Sequence, residues 1–233
     1  MRSAKSTGRI IGPLLLVQLA GLIVPFVLLR PMTTTDFLAN AAGSSSQVKV
    51  AVFLLFANCA LTIGISVAAF PVFREYGPAI ALLLVALSVI MFSLQAVDNA
   101  HLMSMLSLSE RYVQAHGSDE LFQTLSAVAR SARRWTHYSE LLVIDTWIIV
   151  LYGLLYRFRL VPRALAAFGL ITVLLHFTAI PLPLFLGYSG VTALGVPMAF
   201  GHTALAIWLL TRGFDERHHP PFAEAHGIKL AGA

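Results

Sequence analysis

Two short spacings carry most of the chemistry in this chain of 233 residues. Asp98-x-x-His101 and His137-x-x-Glu140 each set a carboxylate and an imidazole three residues apart. Residues at that spacing share one face of a helix. Carboxylates and imidazoles on facing helices are how helical bundles build metal sites. Gln95 adds a polar neighbour one turn before Asp98. Glu140 or His137 is also suited to act there as a general base. A second group comprises Asp145, His176 and His202. One carboxylate with two imidazoles is a ligand set used for zinc and for non-haem iron, with positions left open for water or substrate. Cys59 is the single cysteine, which excludes an intrachain disulfide and a cysteine-cluster metal site. No P-loop, nucleotide fingerprint, Ser-His-Asp pattern or His-Glu-x-x-His motif is present.

Composition fixes the elements that must position these residues. Hydrophobic residues make up 58% of the chain and charged residues 12%. Soluble domains carry about 45–50% and about 25%. That balance excludes a soluble enzyme, a nucleic-acid-binding domain and a disordered chain. The net charge of +5 does not point to nucleic acid, because the basic residues stand at the ends of apolar runs. Six runs are long enough to cross a bilayer as helices: roughly 10–29, 50–73, 78–100, 135–156, 164–186 and 191–211. The first is too long for the apolar part of a signal peptide, and Ala39-Asn40-Ala41 lies well beyond it, so a retained anchor is expected. With the N-terminus inside, ten Lys and Arg fall on inner segments and six on outer ones. The positive-inside rule then places both termini in the cytoplasm.

The polar segment between the third and fourth runs predicts an extended helical hairpin on the outer side. Gly117-Ser118-Asp119-Glu120 has the form of a helix start, with Ser118 as N-cap. Leu121, Phe122, Leu125 and Val128 then form a stripe to match Leu102, Met105 and Leu106. The expected fold is an all-α, integral membrane six-helix bundle over residues 1–213, followed by a flexible cytoplasmic tail, 214–233, that contains His218 and His219.

Counting 1.5 Å per residue from each inner end places Asp98, His137 and Glu140 roughly 24–28 Å up, near the outer interface, with His101 one turn above Asp98. Asp145, His176 and His202 fall roughly 14–18 Å up, near the midplane. Asp145 is about 140° from Glu140 around an ideal helix, so the two levels need not share a cavity. The plainer account of these residues is interhelical hydrogen bonding, with Arg133 and Arg134 neutralising Asp98 and Glu140.

Three segments carry a resemblance: Arg9-Ile10-Ile11-Gly12, Val161-Pro162-Arg163-Ala164-Leu165, and Ala206-Ile207-Trp208-Leu209-Leu210-Thr211-Arg212-Gly213. Together they resemble a bacterial six-helix membrane family of uncharacterised function with a C-terminal Trp-Leu-Leu-x-x-Gly signature. The resemblance implies a six-helix fold in a bacterial inner membrane and transfers no catalytic residue. Three functions fit these observations. The first is a metal-dependent intramembrane enzyme acting on a lipid or other apolar small molecule. It would use Zn or Fe on Asp145, His176 and His202, with Asp98, His101, His137 and Glu140 lining an outer entrance or second site. The second is a small-molecule or proton-coupled transporter. The third is a non-enzymatic sensor or assembly partner.

Overall fold

The structure is a computed structural model that describes residues 3–116, 120–187 and 191–215. Among these residues there is no strand. Six helices dominate: α1, Ala4–Leu28; α2, Ser45–Phe73; α3, Pro78–Gln114; α4, Glu120–Arg157; α5, Arg163–Ala179; and α6, Val196–Arg212. Together with the short turns that adjoin some of them, all six are long and apolar enough to cross a membrane. Their outward residues are large and apolar: Phe53 is 72% exposed, Ile171 65% and Phe200 67%. A helix that is apolar on every side needs lipid or protein around it. The chain is a multi-pass membrane protein.

The ends of the helices follow local chemistry. Pro78 opens α3, where its missing N–H would be unpaired in any case. α3 runs for 37 residues and α4 for 38, well beyond the roughly 20 that a bilayer requires. The long hairpin is therefore present. His116, at φ 55°, follows the end of α3 in the left-handed region that often terminates helices. Ser118, the expected N-cap of α4, lies outside the described residues, as do residues 216–233 of the tail.

The chain divides into two compact units. The first takes Met1–Leu19, Leu61–Ile90 and Leu141–Ala233. Within it, Ile11, Leu15, Ile65, Leu151, Leu205 and Leu209 pack into an apolar core. Trp147 donates its indole N–H to Ser66 Oγ at 3.0 Å, and Gln18 Nε2 donates to Thr62 Oγ1 at 2.6 Å. Gly12 lets α1 meet α6 closely, since a Cβ there would lie 2.5 Å from the backbone nitrogen of Leu210. At the end of α6 the Gly213 N–H donates to Leu209 O, and φ of +73° at Gly213 requires a residue without a side chain.

The second unit takes Ala20–Ala60 and Met91–Glu140. Its core joins Phe37, Leu38 and Val48 to Leu102, Met105 and Leu106 of α3. The link between α1 and α2 is structured. It folds into short helices, Arg30–Thr33 and Phe37–Asn40, and a 3-10 turn, Ala42–Ser44. Ser109 of α3 bonds it twice, donating to Leu38 O at 2.7 Å and accepting from the Ala42 N–H at 2.9 Å. Arg130 of α4 donates to Thr35 O at 2.9 Å and stacks over the Phe37 ring.

One expectation about the hairpin is corrected. Leu121, Leu125 and Val128 are exposed, not packed on α3. The inward face of α4 instead steps through Phe122, Ser126, Ala129, Arg133, His137 and Glu140. Those steps are three and four residues, the period of a helix face. Polar groups occupy that face because the bilayer accepts apolar residues on the outside.

Candidate metal centre

The inward face of α4 and the buried face of α3 bring the outer group of residues together, all within the second unit. On α3, Gln95, Asp98, Asn99 and Leu102 recur at helical spacing and are buried. On α4, Glu140 is buried and His137 is half-buried one turn before it. One potential ligand atom from each of Asp98, His137 and Glu140 lies within 4.8 Å of the other two. Zinc takes oxygen and nitrogen ligands at about 2.0–2.2 Å, so small side-chain rotations close the set around an ion. These three residues could hold a metal ion.

The polar surroundings are incomplete in an informative way. Asp98 is 1% exposed, and its Oδ1 atom accepts no hydrogen bond. The nearest cation is Arg133, whose Nε lies 3.7 Å away, beyond hydrogen-bond length. Arg133 Nε is itself buried and donates to nothing. A buried acceptor and a buried donor left unmade together are costly, and native sites rarely keep them so without a further group. Elsewhere the set is well supported. Gln95 Nε2 donates to Asn99 Oδ1 at 3.0 Å, and Asn99 Nδ2 donates to Val52 O at 3.2 Å. The Cys59 thiol lies 3.8 Å from Glu140 Oε1 and 3.9 Å from Gln95 Oε1, within reach of a weak S–H bond. His101 stands one turn beyond Asp98 on α3, half-buried.

The deeper group belongs to the first unit and is arranged differently. His176 Nδ1 lies 2.8 Å from both carboxylate oxygens of Asp145. With Asp145 ionised, the carboxylate accepts and His176 Nδ1–H donates. Asp145 is fully buried. The other edge of the His176 ring rests on Gly195, where a Cβ would lie 2.7 Å from Cδ2. His202 is not drawn into this pair. Its ring meets Tyr152 edge-on, with centroids 5.5 Å apart. Among the described residues, the group of three His, Cys, Asp or Glu ligand atoms that falls within metal-binding range is the outer one. Depth counting brought Asp145, His176 and His202 to one level, but the structure pairs the first two and sets the third against Tyr152.

Two participants were not singled out as site residues from the sequence. Cys59 carried no signal beyond its being alone, and only folding sets it beside Glu140. Tyr152 looked like one more aromatic in an apolar run, yet it is fully buried against His202. Arg133 was legible: Arg133, His137 and Glu140 stand at i, i+4 and i+7 of one helix. No curated protein and no solved structure matches this chain. The family described as a domain of unknown function, DUF4386, matches residues 10–213, and the chain belongs to that family.

Proposed function

We propose that this protein is a membrane metalloenzyme whose ion is held by Asp98, His137 and Glu140. It would act on a lipid-like substrate that carries a carbonyl or phosphoryl group. The observation that carries this reading is the approach of one ligand atom from each of Asp98, His137 and Glu140 to within 4.8 Å of the others, with a buried Asp98 oxygen that has no hydrogen bond. Three protein ligands leave coordination positions open, as catalytic sites do. Imidazole with carboxylates suits zinc or iron. When bound, such an ion polarises a carbonyl or phosphoryl oxygen and makes water a nucleophile near neutral pH. The chain's own residues then have distinct roles. Asp98 and Glu140 supply negative charge, His137 completes the ligand set, and the Cys59 thiol orients Glu140. His101 is the nearby group able to carry a proton. We place the protein in a bacterial cytoplasmic membrane with both termini inside, on the strength of its Lys and Arg distribution.

Elemental analysis of untagged, detergent-purified protein tests the centre. A parallel sample truncated after Asp215 removes the His218-His219 tail. The expected result is about one Zn or Fe per chain in both samples, lost in Asp98→Asn and Glu140→Gln. Metal retained at full stoichiometry by both variants, or no metal in either sample, would overturn the reading.

A further inference from the structure

The metal reading leaves Arg133 with nothing to do. Its Nε–H is buried and has no acceptor, and it stands 3.7 Å from a carboxylate that a bound ion would occupy. Charge makes the point more sharply. Asp98 and Glu140 bring two negative charges, a divalent ion would cancel them, and Arg133 then adds one positive charge with no counterpart. Arg133 is 18% exposed in its side chain but its Nε is buried, and an uncompensated charge that is largely buried favours a nearby anion. A guanidinium presents a planar fork of N–H donors, which fits the two oxygens of a phosphate or carboxylate side by side. The depth narrows the choice. By the same helix counting, Asp98 stands roughly 27 Å up α3, near the outer edge of a bilayer core about 30 Å thick. A phosphate-bearing head group at that edge would be within reach of the site.

We propose that Arg133 and the ion together bind a phosphate group, supplied by a phospholipid head group or by free phosphate. This inference rests on the metal reading above. One phosphate oxygen would bind the ion held by Asp98, His137 and Glu140, and two others would accept from the Nε–H and an Nη–H of Arg133. Arg133 thereby selects anionic substrates at a site whose other residues select only the ion. Arg134 and Trp135, next on α4, are exposed and outside this face.

The test uses the full chain in a phosphate-free detergent, loaded with its metal and titrated calorimetrically with inorganic phosphate. Arg133→Gln should bind phosphate at least tenfold more weakly while keeping its metal, and Arg133→Lys should fall between the two. Linkage supplies a second measurement on the unaltered protein: phosphate should tighten metal binding at least tenfold, and no coupling between the two would overturn the inference. That measurement decides the matter if Arg133→Gln fails to fold. Nanodiscs then identify the source. Phosphatidic acid should compete with inorganic phosphate if the head group is the ligand, whereas bilayers of a phosphate-free glycolipid should not. If phosphatidic acid leaves the affinity unchanged, free phosphate is the ligand. Metal-loaded protein with no phosphate affinity overturns this inference alone, as does equal affinity in Arg133→Gln. Protein without metal overturns the metal reading and this inference with it.

Discussion

In the first unit, His176 Nδ1 lies 2.8 Å from both oxygens of the fully buried Asp145. The geometry is that of a carboxylate that fixes an imidazole's tautomer and ring plane. Removing one partner of such a buried pair strands the other, at a cost of about 3–5 kcal/mol. His176→Ala should therefore lower Tm and yield sharply while metal content stays unchanged. Loss of stoichiometric metal with Tm preserved would return His176 to the ligand set. Gly195 gives a finer test, because a Cβ there would press on the His176 ring, 2.7 Å from Cδ2. Pinned by Asp145, the ring cannot swing away without breaking its hydrogen bonds. Gly195→Ala should destabilise the natural protein but cost little in a His176→Ala background. A double-mutant cycle on Tm reads that coupling. Additive effects would mean that the ring moves freely and that the contact constrains nothing.

At the scale of elements, the segments that carry the family resemblance do structural work. Gly12 meets the α6 backbone at Leu210 and Ala206, Arg9 donates to Thr211 O at 3.3 Å, and Gly213 packs on Lys5. The first and last segments are thus two sides of one helix crossing. In the middle segment Pro162 stands at the start of α5, and Leu160 O accepts the Asp215 N–H at 2.8 Å. Gly12→Ala should force α1 and α6 apart and cost about 1–3 kcal/mol by overpacking. A lower thermal midpoint in detergent with metal content intact is the expected result, and an unchanged midpoint would refute the crossing. Such segments are readable in a sequence because glycine and proline leave distinctive marks. The α1–α2 connection left none, since helices of four residues are too short to show a period. The stripe of Leu121, Leu125 and Val128 misled for a physical reason. The rule that apolar residues point inward holds in water, whereas a helix that meets lipid can carry its polar residues on the protected side.

For the whole molecule, what could be read in advance was distance along each helix, and what could not was rotation about it. The number of spans follows from the lengths of the apolar runs, and all six are present. The levels of Asp98, His137 and Glu140 follow from rise per residue alone, which is why these three were candidates before their contacts were known. Whether His202 would join Asp145 and His176 depended on packing angles that no residue count contains. Orientation is a further property of the whole chain, because an even number of spans returns both termini to one side. Ten of the 16 Lys and Arg lie on the side that holds the termini. On the proposed topology, the positive-inside rule would make that side cytoplasmic and turn the α3–α4 hairpin outward. The candidate centre, toward the hairpin end of the bilayer by helix counting, should then open to the outside. Two measurements expose this together. A fluorescent protein fused after Ala233 should fold and fluoresce in the cytoplasm. An impermeant chelator should strip the metal from right-side-out vesicles within minutes and leave inverted vesicles loaded. Stripping from inverted vesicles alone would reverse the orientation while keeping the centre, and equal resistance from both sides would show an ion sealed from water and remove the open coordination position that catalysis requires.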